Sequence, residues 1–182
     1  QTSRRAGWLC RSAGANSRLR QSWRASQSVS PSPLAYHKPP PASAQAGRHP
    51  HVLNMSPPLS MKALWFQNHT AYTMSKYGMS MCTLGHAEEL RSLGIAVNSL
   101  WPRTAIATAA LQMIPGADLN KCRKPEIRAD AAHIIFTRDA KTTTGNFFID
   151  DALLAQHGVT DLDRYSVSPG PKDAFPAFFV DW

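Results

Sequence analysis

No aspartate or glutamate occurs in the first 50 residues of this 182-residue chain, whereas eight of its 20 lysines and arginines do. These are Arg4, Arg5, Arg11, Arg18, Arg20, Arg24, Lys38 and Arg48. The 12 basic residues left over are matched by 12 acids, so the whole net charge of +8 sits in that first segment. This excludes a uniformly basic nucleic-acid-binding domain and leaves a basic tail on a neutral one. Cysteine is scarce too: Cys10, Cys82 and Cys122 are odd in number and far apart. That argues against a disulfide framework and for a reducing compartment. No apolar run approaches the roughly 18 residues of a membrane-crossing helix, since the longest break within about seven. The first residue is Gln1 rather than methionine, from which a processed or partial form is expected.

What is present divides the chain in two. Residues 1–50 are rich in Ser, Ala, Arg and Pro, with Pro39-Pro40-Pro41 near the end and no apolar period. This segment is expected to be disordered in isolation. Three readings of it stand: a mitochondrial transit peptide, which is Arg- and Ser-rich and acid-poor; a leader standing in place of native sequence; and a nucleic-acid-binding arm. The last is disfavoured because few aromatics, Trp8 and Trp23 among them, are interleaved with the charges.

Residues 51–182 read as the globular domain. The apolar run 51–55 predicts a buried strand stopped by Pro57-Pro58. Residues 61–70 read as a loop with Trp65 and Phe66. From Ala71 to about Arg91, Met74, Tyr77, Met81 and Leu84 recur every three or four residues, which predicts an amphipathic helix ending at Leu93-Gly94. Residues 95–100 predict a second strand closed by Trp101-Pro102, and residues 103–125 a loop with one short helix. A second long helix is predicted over 126–137 with Ala129, Ala132, Ile135 and Phe136 inward, then a third strand over 145–149. Residues 159–182, with Pro169, Pro171 and Pro176, read as a loosely packed extension. Strand–helix alternation with apolar, non-alternating strands predicts an α/β fold with a doubly wound parallel sheet.

The sharpest feature is Tyr72-Thr-Met-Ser-Lys76. Tyrosine and lysine four apart on a helix project from one face. A phenol with a pKa of about 10 is a poor acid–base catalyst at neutral pH. An ammonium beside it favours the phenolate and brings the pKa toward the working range. Hydroxyls stand upstream at Ser56 and Ser60, and Asn98, Pro102, Ile106, Thr108, Thr144-Gly145-Asn146 and Asp150 follow in order.

This order resembles the C-terminal half of the short-chain dehydrogenase/reductase family, in which a strand-end serine, a helical Tyr-x-x-x-Lys and a proline loop with Ile-x-Thr succeed one another. The resemblance covers about residues 50–180 and implies a partial Rossmann-like sheet. It also implies an NAD- or NADP-dependent oxidoreductase acting on a hydroxyl/carbonyl pair of an apolar, lipid-like substrate. Tyr72 would then be the proton donor/acceptor, and Lys76 would bind the nicotinamide ribose and lower the Tyr72 pKa. Pro102, the Ile106 backbone and Thr108 would contact the cofactor. Ser56 is the favoured substrate-orienting hydroxyl and Ser60 its rival, neither at the family's usual spacing. Arg103 follows Pro102 where most of the family has glycine, either to steer a charged substrate or to crowd the pocket. The resemblance further implies a homo-oligomer through the Tyr72 helix and a peroxisomal or mitochondrial location, with the cytoplasm left open.

The sequence departs from the family upstream. A dinucleotide-binding sheet opens with a strand, a Gly-rich turn and a helix whose N-terminus holds the pyrophosphate. Each β-α-β unit takes about 30 residues, yet only 71 residues precede Tyr72, and Gly7, Gly14 and Gly47 form no such turn. The active-site half is therefore expected without the cofactor-binding half, which favours a leader replacing native sequence. The isolated chain is expected not to bind NAD(P)H tightly and to be inactive. The class-distinct alternative is a non-catalytic interaction or regulatory fragment in lipid metabolism. No nucleic-acid partner and no metal are expected, since Cys82 and His86, four apart, do not close a site alone. Trp65, Phe66 and Trp101 either wall an apolar substrate or pack in the core.

Overall fold

The computed structural model describes residues 50–168 and 174–180. Apart from Pro50, the basic segment and all three readings of it lie outside the described residues.

Three strands, β1 (His51–Asn54), β2 (Ala96–Trp101) and β3 (Phe147–Ile149), form a parallel sheet in the order β1-β2-β3. The register pairs Asn54 with Ser99, and Trp101 with Ile149. Helix α1 (Thr70–Glu89) fills the first crossover; α2 (Ala109–Gln112) and α3 (Glu126–Thr137) fill the second, and α4 (Asp150–Gln156) leaves β3 directly. Strand β2 is buried throughout, as a central parallel strand covered on both faces must be. Its successive residues serve opposite faces. Leu100 packs with Ile127, Ala131, Ile135, Leu153 and Leu154 of α3 and α4. Trp101 packs with Tyr77 of α1. This is the doubly wound α/β arrangement expected from the strand–helix alternation.

Asn98 ties β2 to the approach of β3. Its Nδ2 donates to Thr143 O at 2.8 Å, and its Oδ1 accepts from Asn146 N at 3.0 Å. Gly145 turns there at φ 76°, which glycine adopts without a Cβ penalty, and donates its N–H to Val97 O. The end of α1 follows the expected signal, with a 3-10 turn over Arg91–Leu93 and Gly94 at φ 68°.

Two expectations are corrected, on the inward face of α3 and on the tail. The periodic apolar residues of α1 divide: Tyr77 is buried, whereas Met74 and Met81 are 66% and 59% exposed and Leu84 is exposed as well. The face against the sheet is Thr73, Lys76, Tyr77, Ser80, Thr83 and Ala87. Small side chains there bring the helix close enough for Ser80 Oγ to donate to Pro57 O at 2.7 Å. In α3 the inward phase is Ile127, Ala131 and Ile135, whereas Ala129 and Phe136 are exposed. The tail is not loosely packed over 174–180. Phe175 N donates to Lys121 O, Ala177 N donates to Arg103 O, and Phe179 and Val180 are buried. Two adjacent phenylalanines gain more by burial against an aromatic cluster than the neighbouring prolines lose in regularity.

Candidate active site

Tyr72 and Lys76 stand one turn apart at the start of α1, where the helix passes the carboxyl ends of β1 and β2. Lys76 is only 7% exposed. Its Nζ donates to Met55 O, just past β1, at 3.3 Å and lies 5.5 Å from the centroid of the Trp101 ring that ends β2. The side chain therefore reaches the strand ends, where ligands of open α/β sheets bind. Burial, and after it the charge of Arg128, holds Lys76 below the ordinary lysine range.

Tyr72 is half-buried beneath the tail, with its ring stacked on Phe179 and edge-on to Phe178. Burial raises its phenol pKa. This runs opposite to the lowering expected from Lys76: desolvation penalises the phenolate here, and the lysine's own charge is disfavoured by the same enclosure. Tyr72 is consequently a protonated phenol at neutral pH.

Ser56 is fully buried on the inner side of the strand end. Its Oγ lies 2.7 Å from Ser99 Oγ, Ser99 Oγ lies 2.8 Å from Thr83 Oγ1, and Asn54 Nδ2 donates to Thr83 Oγ1 at 2.8 Å. Four polar side chains thus form one enclosed chain between β1, β2 and α1. Ser60 is half-buried and accepts a long bond, 3.4 Å, from Lys62 N. Pro102 is buried after β2, Ile106 is half-buried against the α3–α4 core, and Thr108 is exposed at the start of α2.

Arg103 is held by the two aspartates that open α4. Its Nε donates to Asp151 Oδ2 at 2.7 Å, and its backbone N donates to Asp150 Oδ1 at 3.1 Å. The arginine clamps the Pro102 loop to the first turn of α4. Trp65, Phe66 and Trp101 do come together near Tyr72, but their shared centre is filled by the chain's own Phe178, Phe179 and Val180.

Sequence reasoning missed Arg128, Ser99, Thr83 and the two phenylalanines. Arg128 Nη2 donates to Leu100 O at 2.9 Å, and the Coulomb attraction of Asp150 supports its charge against burial. The available signals were an arginine next to the inward Ile127 of α3, and a Lys76–Ser80–Thr83–Ala87 stripe at helical spacing. Among the described residues no group of three or more His, Cys, Asp or Glu could hold a metal ion. No helix is long and apolar enough to cross a membrane, again among the described residues.

The parallel α/β architecture that places Tyr72 and Lys76 beside its carboxyl edge is similar to that of solved dehydrogenases. A candidate dehydrogenase from Xanthomonas campestris superposes with a TM-score of 0.72 at 48% identity, over 76% of this chain and 50% of that one. A short chain dehydrogenase from Mycobacterium thermoresistibile gives 0.67 at 39% identity, over 90% of this chain and 54% of that one. No family model matches. The chain is thus similar to short-chain dehydrogenases over about half of their length.

It is also similar to hydroxysteroid dehydrogenase-like protein 2. The Xenopus laevis protein is 56% identical over 132 residues, which are 72% of this chain and 31% of that protein. The Danio rerio protein is 54% identical over 135 residues, 74% and 32% of the two chains. The human protein is 50% identical over 132 residues. The match thus spans about a third of the length of these relatives.

Proposed function

We propose that residues 51–182 carry the proton-transfer part of a nicotinamide-dependent oxidoreductase acting on the hydroxyl or carbonyl group of an apolar, lipid-like substrate. The observation that carries this reading is the reach of Lys76 to the carboxyl ends of β1 and β2, four residues after Tyr72 on the same helix. NADP or NAD, when bound, supplies or accepts the hydride at the substrate carbon. Tyr72 delivers the phenol proton to the substrate oxygen in the reductive direction and takes it back in the oxidative one. Tyr72 carries the proton at neutral pH, as an ordinary tyrosine does, and burial makes it a weaker acid than a free phenol. Lys76 holds the ribose end of the cofactor, and the Pro102–Thr108 segment with Ile106 lies along the same edge.

The substrate-facing hydroxyl is Ser56 or Ser60. The commitment of Ser56 Oγ to Ser99 favours Ser60, which is open to one side. The residues at hand fit the nicotinamide end of a dinucleotide. Among the described residues no Gly-rich strand–helix turn serves the pyrophosphate, so this chain alone is proposed not to bind NAD(P)H tightly and to be inactive. The exposed Met74, Met81 and Leu84 stripe favours a homo-oligomer through α1. It also favours the second reading, a non-catalytic interaction or regulatory fragment in lipid metabolism. Family resemblance supports a peroxisomal or mitochondrial location.

Thermal unfolding with and without NADPH and NADH separates the two readings. Cooperative unfolding with a cofactor-dependent rise in midpoint that Lys76→Ala abolishes supports the oxidoreductase. A non-cooperative melt supports the fragment, and calorimetric binding in the micromolar range overturns the claim of weak binding.

A further inference from the structure

The ring contacts of Phe179 are not alike. It meets Trp65, Tyr77 and Trp101 at tilts of 59°, 48° and 54°, and Phe178 at 89°, but it lies nearly parallel to Tyr72 at 15°, with centroids 5.8 Å apart. Four neighbours grip the edges and faces of Phe179 while one flat face meets the phenol ring.

The seat is built by the backbone as well. Trp101 Nε1 donates to Phe178 O at 2.6 Å, Ala177 N donates to Arg103 O at 2.8 Å, and Ala105 N donates to Phe175 O at 2.8 Å. Phe179 itself sits at φ 70°, a left-handed conformation that bulky side chains seldom adopt and that persists only where the surroundings over-determine it. It is 3% exposed. A ring locked this firmly imposes its own plane on whatever stacks against it, because offset-parallel aromatic pairs have a preferred geometry.

We propose that Phe179 is a positioning residue for Tyr72: it sets the plane of the phenol ring and thereby the line along which the hydroxyl meets a substrate oxygen. The inference rests on the reading of Tyr72 as proton donor, and it assigns to the tail a part in that site. Phe178, edge-on to Tyr72 at 6.2 Å and 77°, serves mainly to anchor the seat through its carbonyl.

The test is an NMR spectrum of the full chain with ring-labelled tyrosine, the Tyr72 signal being assigned by its loss in Tyr72→Phe. In wild type the Tyr72 ring resonances are expected to be displaced upfield by the stacked ring. Phe179→Leu, which keeps an apolar side chain in the seat, is expected to abolish that displacement, and Phe179→Trp to restore it. Phe178→Leu keeps most of it. Amide dispersion reports whether each variant is folded; should Phe179→Leu unfold, Phe179→Tyr against Phe179→Met carries the comparison, with displacement kept in the first and lost in the second. Displacement unchanged in Phe179→Leu or Phe179→Met, or lost as fully in Phe178→Leu, overturns the proposal. None of these readouts needs turnover. If the proton-donor reading fails, the ring signature still follows residue 179, because it reports stacking and not proton transfer.

Discussion

Ser56 Oγ and Ser99 Oγ lie 2.7 Å apart inside the sheet–helix layer, joining the end of β1 to the centre of β2. Their bond continues through Thr83 to Asn54, so a hydroxyl proposed to orient substrate also belongs to an enclosed network. A buried network of this kind is stable only while each member is satisfied.

Ser56→Ala should therefore behave as a stability mutation. Loss of one partner in a buried pair costs about 1–3 kcal/mol, read as a lower midpoint in denaturant unfolding. Ser99→Ala combined with Ser56→Ala should cost less than the two single changes together, because both remove the same bond. A Ser56→Ala chain with an unchanged midpoint contradicts the network.

Arg103→Ala removes the ion pair to Asp151 while leaving its backbone N–H on Asp150. A partly exposed pair contributes roughly 0.5–1 kcal/mol. The difference between wild type and variant should shrink as salt is added, since screening weakens only the charged link. Equal differences at low and high salt would point to packing rather than charge.

Asp150 is buried, which holds its carboxyl above the usual range; the N–H groups of Arg103 and Asp151 and the charge of Arg128 pull it back in part. The folded state thus keeps this proton more tightly than the unfolded chain. The resulting stabilisation is present in acid and is lost as pH rises through the raised value. Asp150→Asn retains an oxygen for the two N–H donors and removes the titration. Its unfolding free energy should vary less with pH from the ordinary carboxylate range up to that raised value, as measured by denaturant titration across the window. Curves that stay parallel there would exclude the assignment.

Arg128→Met tests the electrostatics around Lys76. Burial comes first among the causes that hold the lysine down, and the guanidinium second. Removing Arg128 should raise the Lys76 pKa part of the way toward the ordinary lysine range, followed by side-chain NMR through an alkaline titration. No movement, or movement downward, would show that the two cations do not interact.

The order of elements was legible in the sequence because proline, glycine and apolar runs punctuate it: β1 before Pro57, α1 closed at Gly94, β2 before Pro102. The Tyr72–Lys76 pair was legible for the same local reason, as helical spacing alone puts the two on one side. The face of α1 was not. Reading apolar residues as buried selects Met74, Met81 and Leu84, whereas this helix packs through Thr73, Ser80, Thr83 and Ala87. Small side chains allow closer approach, and their hydroxyls find partners on the sheet.

By itself, then, the sequence determined the α/β alternation, the strand and helix limits to within a few residues, and the presence of Tyr72 and Lys76 on one helix, all properties set by neighbours along the chain. Only the tertiary structure decided that Ser56 turns inward to Ser99, that Arg103 pairs with Asp151, and that Phe179 lies flat on Tyr72. Those contacts join residues 43, 48 and 107 positions apart, and no local pattern encodes the direction in which a side chain will find such a distant partner.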